Sequence, residues 1–283
     1  MRTKPKPPPT PIDRLAEFNP ELKNLAPTPF TASSKAEVHN FTHHLRLNLS
    51  DVVIVGDVHV PTTDPDLIER VLAVGKKTGI EHLIIAGDLV NFDSLSQFDH
   101  IVPPTSFDTE IATAKAVLEY WAQHYSITLM MGNHEERLLK RYSEIIRFAD
   151  LYRILTDTPK IDKERFTFSP YRHLELTANS GLFRVTHPRN YSRIAGRIAD
   201  QLSAKYHCNI ISAHEHHLSL AMSTDNRYVC CNLGGLYDYT NMAYVMLADS
   251  TSATMSAGFV VMQNGVINLL NRHSALTDWG RWV

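Results

Sequence analysis

The chain has 283 residues, 43% of them hydrophobic, with 28 Lys+Arg against 30 Asp+Glu and a formal net charge of -2. That length suits one large domain or two small ones and allows a substantial core. The charge balance gives no general pull toward nucleic acid or a membrane surface, although a local basic groove is still allowed. The 15 histidines stand out, since imidazole is the commonest metal ligand among side chains.

Residues 1–30 are rich in Pro and charge, as in Lys4-Pro5-Lys6-Pro7-Pro8-Pro9. They read as an extended N-terminal arm, either a flexible tail or an arm packing on a neighbouring subunit of a homo-oligomer. Residues 31–283 read as a single domain, because no repeat or linker interrupts them. Asp51 to Gly56 is a continuous apolar run of strand length that ends at Asp57-Val58-His59. A helix follows, with Pro65 in its first turn, Leu67, Ile68, Val71 and Leu72 inward, and Gly79 as its stop. His82 to Gly87 is a second strand, ending at Asp88. Leu89 to Asp108 has two adjacent prolines and no period, so it reads as a long surface loop. Thr109 to Tyr125 has helical spacing. Ser126 to Met130 is a third strand, running into Met131-Gly132-Asn133-His134 and a helix with Leu138, Leu139 and Tyr142 on one face.

The second half changes texture. Arg165 to Thr177 reads as strands with a turn at Ser169-Pro170, and Leu182 to Thr186 as a strand ending at His187. Tyr191 to Tyr206 reads as a helix, and Asn209 to Ala213 as a strand ending at His214-Glu215-His216-His217. Arg227 to Asn232 is strand-like. Its adjacent Cys230 and Cys231 would face opposite sides, as core residues and not a disulfide framework. With Cys208 they fit a reducing, cytoplasmic compartment. Gly258 to Leu270, broken at Asn264-Gly265, is a hairpin signal. No apolar run approaches the roughly 20 residues of a membrane span, and no apolar stretch follows the N-terminal Lys and Arg as in a secretory signal.

Five strands therefore end in metal-capable residues: Asp57 with His59, Asp88, Asn133 with His134, His187, and His214 with His216. One such end is turn chemistry; five in order argue for a shared site at one sheet edge. Imidazole with carboxylate suits Zn, Fe, Mn or Ni, and the lack of thiolate argues against a structural zinc site. Even with His134 set aside, the remaining seven ligands exceed one ion unless a residue is shared. Asp88, alone at its strand end, could bridge two ions with its two oxygens.

Gly56-Asp57-Val58-His59, Gly87-Asp88, Gly132-Asn133-His134-Glu135, His187 and Ala213-His214-Glu215-His216 resemble, in order, the motifs of the calcineurin-like metallophosphoesterase superfamily. The resemblance implies an α/β (α+β) fold, a four-layer α/β/β/α sandwich of two mixed sheets. It implies one metal on Asp57, His59, Asp88 and His216 and a second on Asp88, Asn133, His187 and His214. The ions would be manganese first, with iron, zinc or nickel as alternatives. It gives Asp88 and His134 catalytic parts: a metal-bridging hydroxide attacks phosphorus, and His134, oriented by Glu135 or another acid, stabilises the phosphate or protonates the leaving oxygen. Asn133, His134 and Arg189 become the candidate substrate contacts, while Arg137 reads as a surface ion pair. Three departures are visible. Ala213 stands where the family usually has Gly, and Pro188-Arg189 where Gly often follows the histidine. The Asp-Arg-Gly of the phosphoprotein phosphatase branch is missing after Asp88. The loop from Leu89 and the Glu-Glu-Arg after His134 look more like members found in bacteria and their phages.

The first expectation is a metal-dependent phosphoester hydrolase, a phosphatase or a phosphodiesterase, acting on a phosphoester substrate and not at a membrane. A nuclease acting on DNA or RNA is the alternative, but the motif flanks carry no basic run to track a backbone. A non-catalytic scaffold of the same fold should have lost ligands or His134, and this chain keeps them.

Overall fold

The structure, a computed structural model, describes residues 43–96, 103–143, 145–241, 246 and 255–274. The arm expected over 1–30 lies outside the described residues. In chain order, β1 (Arg46–Asn48) and β2 (Val52–Val55) lead to helix α1 (Pro65–Thr78), β3 (His82–Ile85) and α2 (Phe107–Ala122). β4 (Ser126–Met130), α3 (Asn133–Arg141) and α4 (Phe148–Thr156) follow. Then come β5 (Phe166–Ser169), β6 (His173–Ala178), β7 (Gly181–Thr186), α5 (Arg197–Tyr206) and β8 (Asn209–Ser212). β9 (Ser219–Met222), β10 (Val229–Asn232) and the pair β11 (Gly258–Gln263) and β12 (Val266–Asn271) complete them.

The strands form two mixed six-stranded sheets, ordered β12-β11-β2-β3-β4-β5 and β1-β6-β7-β8-β10-β9. β2, β3, β4 and β5 run parallel, and β11 joins β2 antiparallel. The apolar runs are continuous because both faces of each sheet are covered. In β2, Val52 and Ile54 enter the core between the sheets, while Val53 and Val55 enter the core under α1, α2 and α4. In β10, Cys231 faces the inter-sheet core and Cys230 the small core under α5. This alternation gives the four layers, α/β/β/α, and leaves all three cysteines buried and free. Among the described residues no helix is long and apolar enough to cross a membrane.

Local chemistry explains the boundaries. Asp64 caps α1 by accepting from the Asp66 N–H, Pro65 opens the helix, and Gly79 closes it at φ 73°. α1 and α2 lock together where Trp121 Nε1 donates to Ile68 O at 3.1 Å and Tyr125 Oη to Val71 O at 2.5 Å. The turn between β11 and β12 is Asn264-Gly265, both at positive φ (50° and 81°), as a two-residue hairpin turn of this twist requires.

Four expectations change. The stretch from Leu89 is not a surface loop at its start: Leu89, Val90 and Phe92 are fully buried, and Val90 bridges to Val60. α2 begins at Phe107, capped by Ser106, not at Thr109. The helix expected from Tyr191 starts only at Arg197, because Gly196 (φ 79°) turns the chain there. Tyr142 falls beyond α3 and is exposed; Leu138 is that helix's buried apolar residue. The structure also adds α4, whose Phe148 and Tyr152 stack on Phe168, and the edge strand β9.

Glu110, in the first turn of α2, is buried, with Oε1 accepting from Asp93 N at 3.2 Å and Oε2 without a partner among the described residues. Burial raises its pKa to about 7, above the ordinary 4.5. Folded protein thus holds a proton that unfolded chain has released between those values, so this contribution is full below about 4.5 and is lost as pH rises through about 7. Glu110→Gln is expected to gain in Tm relative to the wild type as pH goes from 5 to 8; parallel Tm curves for the two proteins would refute it.

Candidate metal centre

The candidate residues sit past the C-terminal ends of β2, β3, β4, β7 and β8, on loops except for Asn133 and His134, which open α3. Past β2 and β3 the backbones stay zipped: Asp57 N donates to Gly87 O, Val58 N and His59 N to Asp88 O, and Val60 N to Leu89 O, at 2.9–3.1 Å. The chain reverses sharply within these loops. Asp57, His59, Asp88, His214 and His216 all take left-handed φ, at 50°, 52°, 54°, 79° and 58°. Non-glycine residues held there cost of order 1–3 kcal/mol each and cluster at functional sites. Ala213 is not among them, so Ala in place of Gly strains nothing; its methyl occupies the space left by Gly56, whose own Cβ would lie 3.0 Å away. Gly87 and Gly132 meet face to face: a Cβ on Gly87 would lie 2.7 Å from Gly132 Cα, and one on Gly132 would lie 2.1 Å from Asp88 Oδ1.

Each aspartate is held by one oxygen and presents the other. Asp57 Oδ2 accepts from His214 N at 2.8 Å, and Oδ1 accepts no hydrogen bond among the described residues, with His216 Nε2 3.3 Å and His59 Nε2 3.8 Å away. Asp88 Oδ1 accepts from His134 N at 2.8 Å, and Oδ2 faces His187 Nε2 at 3.2 Å and His134 Nε2 at 3.8 Å. Asp88 Oδ1 is thus engaged by the backbone, and Oδ2 faces the imidazole nitrogens of the cluster.

The histidines are oriented from behind. His187 Nδ1 is 2.8 Å from Ala86 O and His134 Nδ1 2.5 Å from Asn91 O; a carbonyl only accepts, so both carry their hydrogen on Nδ1. His59 Nδ1 meets Asn91 Oδ1 at 3.2 Å in the same sense. Each of these rings then turns its Nε2 atom inward. The result is crowded with acceptors: His187 Nε2 lies 2.8 Å from Asn133 Oδ1, and His59 Nε2 lies 3.2 Å from His216 Nε2.

Among the described residues three groups bring ligand atoms within 4.8 Å of one another: Asp57 with His59 and His216, His59 with Asp88 and His134, and Asp88 with His187 and His214. The first group holds three of the four residues expected for one ion and the third holds three of the four expected for the other, with Asn133 Oδ1 2.8 Å from His187 Nε2. The second places His134 against both. Charge follows the same logic. Burial and the neighbouring His134 and His216 push His59 well below its usual pKa, and burial with His187 takes His214 to about 4. Burial would raise Asp57, but His216 and His187 outweigh it and hold it at about 2. Burial likewise opposes charge on His187, and Asp88 overrides it, drawing that imidazole up to about 9. Buried carboxylates facing imidazole nitrogens form a hard-to-borderline donor set that fits divalent cations, with His187 giving up its second ring proton to an ion it would bind, and no cysteine competes.

Several supporting residues differ from expectation. Glu135 does not orient His134. Its buried carboxylate accepts from Asp88 N (2.9 Å), Gly132 N (2.9 Å) and Val90 N (3.2 Å), tying the ends of β3 and β4 together. His134 is placed instead by Asn91 O and by Arg137, whose Nη2 donates to its Nε2 at 3.1 Å. Arg137 does make an ion pair, with the half-exposed Asp93 at 3.4 Å, and beyond it donates to Asn91 O. Arg189 is exposed, while Arg172, unmarked in the sequence, donates to Asn133 Oδ1 at 3.4 Å. Glu215, between the two histidines, is buried on Ser192 N and Asn232 Nδ2, and burial raises its pKa to about 7. Asn91 had a readable signal, three residues beyond Asp88. Arg172 had none, because it follows a turn outside every motif.

Two mixed sheets between helices, with carboxylates and histidines gathered at the strand ends, define a phosphoesterase-type architecture. A model of the calcineurin-like phosphoesterase family matches residues 50–218, more than half of the chain and all of its candidate ligands, and the chain belongs to that family. Among solved structures it is similar to an archaeal phosphodiesterase, at 13% identity over 78% of this chain and 99% of that one, TM-score 0.43. It is also similar to the phosphoesterase Yfce from E. coli (14%, 78% and 98%, TM-score 0.38). A third is a cold-active protein-tyrosine phosphatase of a psychrophilic Shewanella (11%, 79% and 78%, TM-score 0.39). No curated protein matches the chain.

Glu135→Gln replaces one acceptor oxygen by an amide donor facing backbone N–H groups. Stability is expected to fall by about 1–3 kcal/mol in denaturant titration, with metal affinity falling alongside. An unchanged midpoint would show that the carboxylate is not the tie described.

Proposed function

We propose that the chain is a phosphoester hydrolase working with two divalent metal ions, one held by Asp57, His59, Asp88 and His216 and the other by Asp88, Asn133, His187 and His214. The observation that carries this reading is the pair of buried aspartates, each fixed through one oxygen by a backbone N–H and turning the other toward imidazole nitrogens. Manganese is the first choice, with iron, zinc or nickel also suited to oxygen and imidazole donors. Such ions, when bound, lower the pKa of a shared water and hold phosphate oxygens.

The chain's own residues do the rest. Asn133 and the left-handed loops fix the donors before substrate arrives, so little reorganisation remains. His134 stands at the cluster with Nδ1–H anchored on Asn91 O and Nε2 directed inward. To protonate a leaving oxygen, Nε2 must first take up a proton. Burial and Arg137 oppose that proton, and Asp88 favours it. Arg137 must also yield the contact it now makes with Nε2. His134 therefore matters most where the leaving group is a poor one.

Asp88→Asn is expected to lose bound metal and activity together. His134→Ala is expected to keep its metal and to lose about 10²–10⁴-fold in kcat on a substrate with a poor leaving group. Metal content and turnover of a phosphomonoester and a phosphodiester, before and after metal stripping, test both. Turnover that survives stripping would sink the two-metal reading, and full activity of His134→Ala would remove His134 from the reaction.

A further inference from the structure

Arg172 stands beside the cluster without a close ion pair. Its side chain is only 16% exposed, and the carboxylate it pairs with, Glu136 Oε1, lies 3.7 Å away. Glu136 Oε2 is taken by Lys140 Nζ at 2.6 Å. Arg172 Nη2 donates to two neutral oxygens, Pro188 O at 3.1 Å and Asn133 Oδ1 at 3.4 Å, and its buried Nε has no acceptor among the described residues. Glu136, Asp88 and Glu135 attract the guanidinium, and the exposed Arg189 repels it. Arg137, on the other flank, is committed to Asn91 O, Asp93 and His134. A desolvated guanidinium with a like charge beside it and an unused donor is costly unless an anion completes it. Planar, bidentate recognition of phosphate is what such a fork does best.

The chemistry of the anion then selects a class. A phosphate monoester has three non-bridging oxygens and about 1.5–2 negative charges near neutral pH. A diester has one oxygen fewer and a single charge. Cations added beside the cluster stabilise the monoester more. We infer that Arg172, with Arg189 beside it, grips the substrate phosphate and makes this a site for phosphate monoesters. The inference rests on the hydrolase reading above, and its test separates the two.

Calorimetric titration of metal-replete protein with inorganic phosphate and with dimethyl phosphate is the direct measurement. Arg172→Gln is expected to weaken inorganic phosphate about tenfold or more while moving dimethyl phosphate by about twofold at most. Arg172→Lys, which keeps the charge and loses the fork, should fall between wild type and Gln. In turnover, KM for a monoester should rise more than kcat falls. Arg189→Gln, at an exposed position that leaves folding alone, should weaken phosphate by a smaller factor that fades at high salt. Equal losses for both ligands would mean that Arg172 only props Asn133, and unchanged phosphate affinity in both variants would remove the site; either result overturns the inference. If the wild type hydrolyses phosphoesters and the variants do not discriminate, this inference alone fails. If phosphate binds through Arg172 but no ester is turned over, the anion site stands and the hydrolase reading fails.

Discussion

The centre depends on a buried carboxylate that is not itself among the candidate ligands. Glu135 gathers three backbone N–H groups, one from the end of β4 and two from the loop after β3, in a space closed to water. Without an acceptor those donors would be left unsatisfied in the interior, so the loops have one low-energy arrangement. That arrangement brings Gly87 against Gly132 and places the His134 N–H on Asp88 Oδ1. The geometry of the aspartate follows from the glutamate. Burial and the nearby Asp88 raise the glutamate's own pKa to about 7, while the N–H groups hold it down.

The left-handed residues describe the other half of the same bargain. Asp57, His59, Asp88, His214 and His216 adopt backbone conformations that glycine would adopt freely, yet glycine could supply no ligand atom. The surrounding strands impose these conformations: the zipper between the loops after β2 and β3 leaves no slack for them to relax. Stability is spent locally to hold donors in register, as is usual where a fold carries chemistry.

Much of this was legible in the sequence. Apolar runs of strand length ending in Asp, Asn and His marked β2, β3, β4, β7 and β8 and the residues that converge, since a strand end fixes where the next side chains emerge. α4 was missed although Phe148, Leu151, Tyr152 and Leu155 carry helical spacing; nine residues is short for a periodic signal. The stretch from Leu89 looked like loop because it lacks a period, but Leu89, Val90 and Phe92 are core residues of an irregular segment. The roles of Glu135, Arg137 and Arg172 were out of reach for a different reason. Each is defined by a partner more than 30 residues away or by which atom of a ring faces inward, and spacing encodes neither.

The cysteines, inert in the native fold, carry a consequence for how the molecule opens. Cys231 lies between the two sheets, whereas Cys208 and Cys230 lie beneath α5 on the outer face of one of them. A thiol reagent can reach the latter pair when a single ten-residue helix lifts, but it reaches Cys231 only when the sheets part. The three thiols thus sample two different opening events of one molecule, and their labelling rates would separate a local excursion of the outer layer from loss of the central sandwich.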